Sequence, residues 1–402
     1  MQRTLFRLML IAFGVVGGVG MITFMDLWPT SVTRGQGGTC TTGAYLEETL
    51  ATGAGWDLCW VTDPQAGIVL TDIYYSTPAG LRRKVLQEAS LAQIEVSYDD
   101  GAATFAYASD PGLGGAQLLP LNATDCPAGV LLQENDQAVL CKQVGGRGYL
   151  YKYYTQQRQG AAMTLFSAAQ IGQHLYIVQW RFLDDGTIEP QVGEGGRLLR
   201  QGQDPRYGWP VQPTTAAQPI GIGYVTDYWW RLNFDLGDNG ANDAVDEFVV
   251  SPASSNTQRV STVTALTSET GRTLDPDQKR SWRVRDGALT NSDGHAVSYH
   301  LEPDQAGYRH VGPAAQPWTQ QDLYVTVAHA CERLASHNPT TGGCADNVAA
   351  YVNGESVAGA DVVLWYRVTA HRLPSAEDLP VLRVQWQGFQ LLPRDWTAQS
   401  PF

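Results

Sequence analysis

An all-β fold, one large antiparallel domain built from two packed sheets, is predicted by three features of the 402-residue sequence. The first is composition: 42 Gly, 21 Pro, 18 Tyr and 12 Trp, with only 17% charged residues, suit strands and frequent turns better than helices. The second is a series of alternating apolar segments closed by turn residues. LYIVQWRFL (175–183) runs into Asp184-Asp185-Gly186, and DLYVTVAHA (322–330), DVVLWYRVTA (361–370) and VLRVQWQGFQLL (381–392) follow the same pattern. The third is continuity, because from Trp56 onward there is no repeat and no second low-complexity break, so 56–402 reads as one domain. One segment departs from the pattern: the periodicity of AGLRRKVLQEASLAQI (79–94) predicts a partly helical stretch.

The N-terminal 1–27 reads as a membrane anchor or signal segment. Leu8–Met25, LMLIAFGVVGGVGMITFM, is an 18-residue stretch without a charge, preceded by Arg3 and Arg7 and followed by Asp26. The basic flank places the N-terminus in the cytoplasm and all that follows on the extracytoplasmic side. The length of the run and the lack of an A-x-A site favour a retained transmembrane helix over a cleaved signal. Gly14 and Gly18 form a GxxxG pair that permits close helix packing in lipid. Residues 28–55 are Gly- and Thr-rich and read as a tether. Six cysteines fit an oxidising compartment and fall as three sequence-local pairs, Cys40 with Cys59, Cys126 with Cys141 and Cys331 with Cys344. Spacing alone leaves their connectivity open. There is no C-x-x-C motif for structural zinc. The net charge of −13 argues against nucleic acid as a partner.

Six blocks, in order, resemble the C-terminal catalytic domain of copper-containing amine oxidases. They are QAGIVLTDIYY (65–75), RRKVLQEASLAQIEVSYDDG (82–101), FLDDGTIEP (182–190), RLNFDLGDNGANDAVDEFVV (231–250), GHAVSYHLEP (294–303) and DVVLWYRVTAHRLPSAEDLPVLRVQWQGFQLLP (361–393). The last is the most specific, since its W-Y, E-D, P-V and G-F-x-L-x-P elements keep their spacing without gaps. The resemblance spans roughly 56–396 and implies that family's large antiparallel β-sandwich, together with homodimerisation.

The same resemblance locates the family's chemistry. It needs a tyrosine oxidised to a quinone, three histidine ligands for copper and an aspartate base; imidazole suits copper, and a carboxylate removes the substrate-derived proton. The precursor position, in Ile171-Gly172-Gln173-His174-Leu175-Tyr176, is His174. Counting back from Arg231-Leu232-Asn233 puts Tyr224 and Thr226 at two copper-ligand positions. The third falls on Arg372, next to His371, and the base position on Tyr107, with Asp110 nearby. None of the five carries the expected group. The expectation is therefore a pseudoenzyme that needs no copper or quinone: a non-catalytic, membrane-anchored extracytoplasmic scaffold or binding protein, working as a subunit of a membrane or envelope complex. The alternative is a copper- and quinone-dependent primary amine oxidase with a rearranged site. There Tyr176, two residues past His174 and on the same strand face, would be a displaced precursor.

A second metal position survives better. The family pattern implies a structural calcium held by Asn233, the Phe234 carbonyl, Asp235, Asp361 and the Val362 carbonyl, all oxygen donors as a hard cation requires. Asp235–Asp246 also loosely imitates an EF-hand loop, but no helices flank it and a hairpin is expected. The remaining histidines, His295, His300, His310, His329 and His337, show no metal-ligand spacing. Absence of G-x-S-x-G, P-loop and H-E-x-x-H motifs removes support for hydrolase, nucleotide and zinc-protease readings. Tyr228-Trp229-Trp230 and Tyr151 to Tyr154 are expected mainly to pack in the core or on sheet faces.

Overall fold

The computed structural model describes residues 38–212, 219–254, 257–303 and 308–402. Its described residues form two large antiparallel sheets and one small one. In order across the first sheet lie Ala44–Thr49, Gly55–Asp63, Gly67–Ser76, Arg82–Tyr98, Tyr224–Phe234, Val362–Arg372, Leu323–Val327 and Thr270–Arg272, with Phe105–Ala106 beside Arg82–Tyr98. The second runs Arg259–Leu266, Asp243–Pro252, Ser281–Thr290, Ala296–Pro303, Leu382–Arg394, Ile188–Gly196, His174–Leu183, Gln156–Ile171, Gln137–Tyr153 and Val130–Glu134. A three-stranded sheet joins Gln201–Gly202, Ile220–Ile222 and Gly208–Pro210. Among the described residues no helix is long and apolar enough to cross a membrane, and the predicted span at 8–25 lies outside them.

The two large sheets pack face to face through interlocked aromatic rings. Trp230 on the Tyr224–Phe234 strand meets Trp180 of the opposite sheet edge to face, with centroids 5.0 Å apart at 88°. It also meets Phe389 at 5.8 Å. Trp56 packs on Phe182 and donates its indole N–H to the Leu183 carbonyl across the interface, at 2.9 Å. Such rings bury on the order of 150–250 Å² each and dominate the hydrophobic contribution.

The helical expectation for 79–94 is corrected: Arg82–Tyr98 is a single strand. Two causes made it resemble a helix. The strand is central and covered on both faces, so the polar–apolar alternation is lost. A register shift opposite Trp229 and Trp230 then puts Leu91 and Ile94, three residues apart, into the same core. The tether expected over 28–55 also ends earlier than its composition suggests, because Ala44–Thr49 pairs along its length with Gly55–Trp60. Tyr228, Trp229 and Trp230 are fully buried, whereas Tyr151, Tyr153 and Tyr154 are exposed at and near the tip of the hairpin joining Gln137–Tyr153 to Gln156–Ile171.

All six cysteines are paired as their sequence proximity suggests: Cys40–Cys59, Cys126–Cys141 and Cys331–Cys344, with Cα separations of 5.8, 5.8 and 6.0 Å. The first ties the chain before Ala44–Thr49 to the next strand, closing the edge of the sheet.

The interlock of Trp230 gives a stability test. Trp230→Ala opens a cavity between the sheets and should cost about 3–5 kcal/mol in urea unfolding. Trp209→Ala, at a position 57% exposed, should cost under about 0.5 kcal/mol. Equal costs for the two would contradict this account of the core.

Candidate functional site

The five family positions named from sequence converge between the sheets. His174 opens its strand and Tyr224 opens another, so both project into the sandwich at one end. Tyr224 lies opposite Arg372 in the ladder, and Thr226 follows Tyr224 on the same face. Their rings pack together: His174 and Tyr224 lie 5.7 Å apart, and Tyr107 lies 6.1 Å from His174 and 5.9 Å from Tyr176.

At the centre is a residue the sequence reading passed over, Glu194. It sits in the Gly-rich strand Ile188–Gly196, directly opposite Tyr176 and two residues before Gly196, which pairs with His174. Tyr228 donates its hydroxyl to Glu194 Oε2 at 2.9 Å, and Thr226 donates to the same oxygen at 3.3 Å. The Tyr224 hydroxyl approaches the same carboxylate and helps hold its charge. The other oxygen, Oε1, has no hydrogen-bond partner and stands 3.7 Å from His174 Nδ1. Burial pushes the Glu194 carboxyl above its ordinary range, against the opposing pull of Tyr228, Arg372, Tyr224 and Thr226. A Glu set between Gly193 and Gly195 in a strand was the available signal.

His174 shares a 2.9 Å hydrogen bond between Nδ1 and the Tyr176 hydroxyl, and its Nε2 is buried without a partner. Burial first, then the Arg372 charge, lowers its pKa to about 4, so the ring is neutral at physiological pH. Arg372 is itself buried; it donates to the Arg383 carbonyl at 2.6 Å and to Gln385 at 3.2 Å. Desolvation raises the phenols, Tyr107 to about 12 and Tyr176, Tyr224 and Tyr228 further. The adjacent His371 is drawn away instead, to Asp99 at 2.9 Å. Of these groups His174, with its unpartnered Nε2, offers an imidazole donor, while phenol and hydroxyl are poorer donors and the guanidinium repels a cation, so a three-histidine arrangement is not reproduced at these five positions. Among the described residues no three His, Cys, Asp or Glu side chains are drawn together closely enough to hold a metal as they stand.

The second position is a cluster of oxygen donors at the far end of the Tyr224–Phe234 strand. The Phe234 carbonyl and the Asp361 carboxylate flank Gly240, whose missing Cβ would meet them at 3.5 and 3.4–3.5 Å. Asn233 Oδ1, Asp235 Oδ1 and Asp361 Oδ1 are all buried and unpartnered, which is the fit a hard cation requires. Lys84 meets Asp235 at 3.0 Å and Asp72 at 2.8 Å. Val362 begins its strand opposite Val327. Asp243, not singled out from sequence, is bridged through its backbone to Ala360, next to Asp361; burial, then Asp286, Asp235 and Asp361, push its pKa up to about 9. The EF-hand likeness dissolves, because Asp246 is taken by Arg283 and Arg285 and the stretch forms two short 3-10 turns and a strand.

The buried imidazole of His174 yields a pH test. Its folded value, about 4, lies below the ordinary 6.5, so unfolding takes up a proton between them. Its contribution is whole above pH 6.5 and declines as pH falls towards about 4. The gap in unfolding free energy between wild type and His174→Gln should thus shrink by about 2 kcal/mol from pH 7.5 to 4.5. A gap that stays constant with pH would refute the buried neutral imidazole.

Comparison with known proteins bears on the whole arrangement. Residues 46–402 match a family described as copper amine oxidase, enzyme domain. N-methylputrescine oxidase 1, peroxisomal, of Nicotiana tabacum is 25% identical over 388 residues, covering 84% of this chain and 48% of its own length. Histamine oxidase of Arthrobacter globiformis is 24% identical, covering 94% of this chain and 59% of its own. The chain thus spans only about half to three-fifths of these relatives. Two solved structures share the fold. A copper-containing benzylamine oxidase from Hansenula polymorpha superimposes with a TM-score of 0.74 at 16% identity, over 92% of this chain and 65% of its own. A lysyl oxidase from Pichia pastoris gives 0.71 at 19%, over 87% and 52%.

These matches overturn the expectation of a non-catalytic scaffold without cofactors. The relatives are amine oxidases, and members of the family carry copper and a quinone. The physical flaw in that expectation was to equate exchanged donors at His174, Tyr107, Tyr224, Thr226 and Arg372 with an inert site. Those positions still close around a buried carboxylate and four phenols. With the enzyme domain matched from residue 46 to the last, the chain belongs to the copper amine oxidase family.

Proposed function

We propose that this domain is an amine-handling enzyme of the primary amine oxidase type with a rearranged centre, in which Glu194 receives the substrate's ammonium group. The observation that carries this reading is the unpartnered Glu194 Oε1, buried among Tyr107, Tyr176, Tyr224, Tyr228 and a neutral imidazole. An ammonium has three donors and no acceptor, so it complements a free carboxylate oxygen, and phenol faces attract cations. A carboxylate raised by burial is also a better base than an exposed one for taking a proton from carbon. Tyr107 closes the cluster, and Phe105, 46% exposed, stacks on it at 6.0 Å; the substrate enters by displacing this pair. Tyr176, hydrogen-bonded to His174, is the phenol that would carry a quinone if the family's cofactor forms here, and that group would supply the redox chemistry. The overall reaction of this type consumes a primary amine, dioxygen and water and yields an aldehyde, ammonia and hydrogen peroxide.

Two further parts of the reading are structural. A calcium ion held by Asn233, the Phe234 carbonyl, Asp235, Asp361 and the Val362 carbonyl fits the unpartnered oxygens at that end of the sandwich. Placement outside the cytoplasm, with 8–25 as the anchor, is supported by three disulfides and the uncharged N-terminal run.

Protein expressed with added copper and titrated with a panel of primary amines tests the central claim. Amine binding by calorimetry should weaken at least tenfold in Glu194→Gln, and Tyr176→Phe should abolish peroxide release while keeping amine binding. Wild-type protein that neither binds a primary amine nor releases peroxide would overturn it.

A further inference from the structure

Two buried side chains of opposite charge in the candidate site each keep a free atom. Glu194 and Arg372 are both 4% exposed, and neither Glu194 Oε1 nor Arg372 Nη1 has a hydrogen-bond partner. They belong to opposite sheets and reach the same space. Arg372 pairs with Tyr224, so its side chain leaves the first sheet on the inner face beside that phenol. It then crosses to the second sheet, where Nη2 donates to the Arg383 carbonyl at 2.6 Å and Nε to Gln385 Oε1 at 3.2 Å. Gln385 lies directly opposite Glu194 in the ladder between Ile188–Gly196 and Leu382–Arg394. Side chains paired in this way share a face, with Cβ atoms about 4.5–5.5 Å apart. That face is the inner one: a Cβ on Gly193 would meet Val384 and Trp386 at 2.8 and 3.1 Å, so the neighbours of Glu194 and Gln385 pack on the outside.

The fold holds these charges close without letting them neutralise each other. The two bonds of the guanidinium go to neutral oxygens, and Tyr228 and Thr226 donate to Glu194 at Oε2, away from Oε1. An unpaired charged group in such surroundings is unfavourable until a ligand meets it. The two free atoms ask for opposite things. An ammonium has only donors, which suit Oε1, and a carboxylate has only acceptors, which suit Nη1. A plain monoamine answers the first and leaves the guanidinium unmet and repelling. A zwitterion answers both.

We propose that the site takes an amino acid as its primary amine, the ligand's ammonium meeting Glu194 and its carboxylate meeting Arg372, which makes Arg372 a specificity-determining residue. The inference rests on the reading of Glu194 as the ammonium site, and the two fail separately. Full-length protein is titrated by calorimetry with matched pairs that exchange a terminal methyl for a carboxylate: ethylamine against glycine, propylamine against 3-aminopropanoate, and butylamine against 4-aminobutanoate. At least one amino acid should bind tenfold or more tightly than its amine. Arg372→Gln should erase that preference while binding the amines at least as tightly as wild type, because the repelling charge is gone. Arg372→Lys should keep a preference of the same sign. Amines that bind as tightly as every amino acid overturn the proposal and leave the Glu194 reading intact. A preference that survives in Arg372→Gln overturns the role of Arg372. No binding of either class by wild type overturns both readings. Circular dichroism confirms folding of each variant, and Arg372→Met replaces Arg372→Gln if the latter does not fold.

Discussion

The strand Tyr224–Phe234 is covered on both faces, and that constraint organises the rest of the molecule. A strand's side chains alternate, so one set must serve the sandwich core and the other the layer outside it. Tyr224, Thr226, Tyr228 and Trp230 face inward and meet Glu194, Tyr176 and Trp180 of the opposing sheet. Asp227, Trp229 and Arg231 face outward, under the loops that precede and follow Leu323–Val327. There Asp227 is met by His310, Thr369 and Arg367, and Arg231 reaches the Glu332 carbonyl. The end of the same strand delivers Asn233, Phe234 and Asp235 to the cluster of oxygen donors. One central strand therefore carries the candidate centre, the outer charge network and those oxygen donors, and a one-residue slip would exchange the first two.

Buried charge is the common theme of these places, and each solves it differently. On the outer face, Asp227 and Asp322 are compensated by Arg367 and Arg309, and Asp227 keeps a pKa below its usual value because Arg367 and His310 outweigh burial. At the centre, Glu194 has phenols and a distant guanidinium but no close cation, so burial wins and its pKa rises. At Asp243 no ion pair compensates, and burial with three neighbouring carboxylates pushes its pKa up to about 9. The gradient from paired to unpaired separates scaffold from site: a fully paired carboxylate fixes structure, whereas one with an oxygen left over favours a cationic ligand.

Much of this was legible in the sequence, for physical reasons that differ by element. Alternation gave His174–Leu183, Leu323–Val327, Val362–Arg372 and Leu382–Arg394, since each keeps at least part of a period-two pattern. It failed at Arg82–Tyr98, where coverage on both faces and a bulge imitate helical spacing. The five residues counted out from family spacing, His174, Tyr224, Thr226, Arg372 and Tyr107, are neighbours in the fold. Glu194 and Asp243 escaped because neither lies in a motif; their meaning comes from what surrounds them across the sheets, and no local pattern encodes that. The function escaped for a related reason. Reading positions one at a time recorded lost ligands, but not the carboxylate and phenols that the fold brings to the same spot.

That last point bears on how a site changes within a fold. With Tyr224, Thr226 and Arg372 at the positions counted out from family spacing, a guanidinium and a carboxylate share a space of low dielectric. Arg372 is held by Arg383 and Gln385 rather than by Glu194, so the carboxylate keeps its unpaired oxygen instead of closing into a salt bridge. A substrate ammonium reaching Glu194 would then meet attraction at one side and repulsion from Arg372 at the other. On the proposed reading, that geometry would favour a monocation with an apolar body over a short diamine, whose second charge would lie nearer the guanidinium. Arg372, held off Glu194 by Arg383 and Gln385, would then set which ammonium ligands the carboxylate accepts.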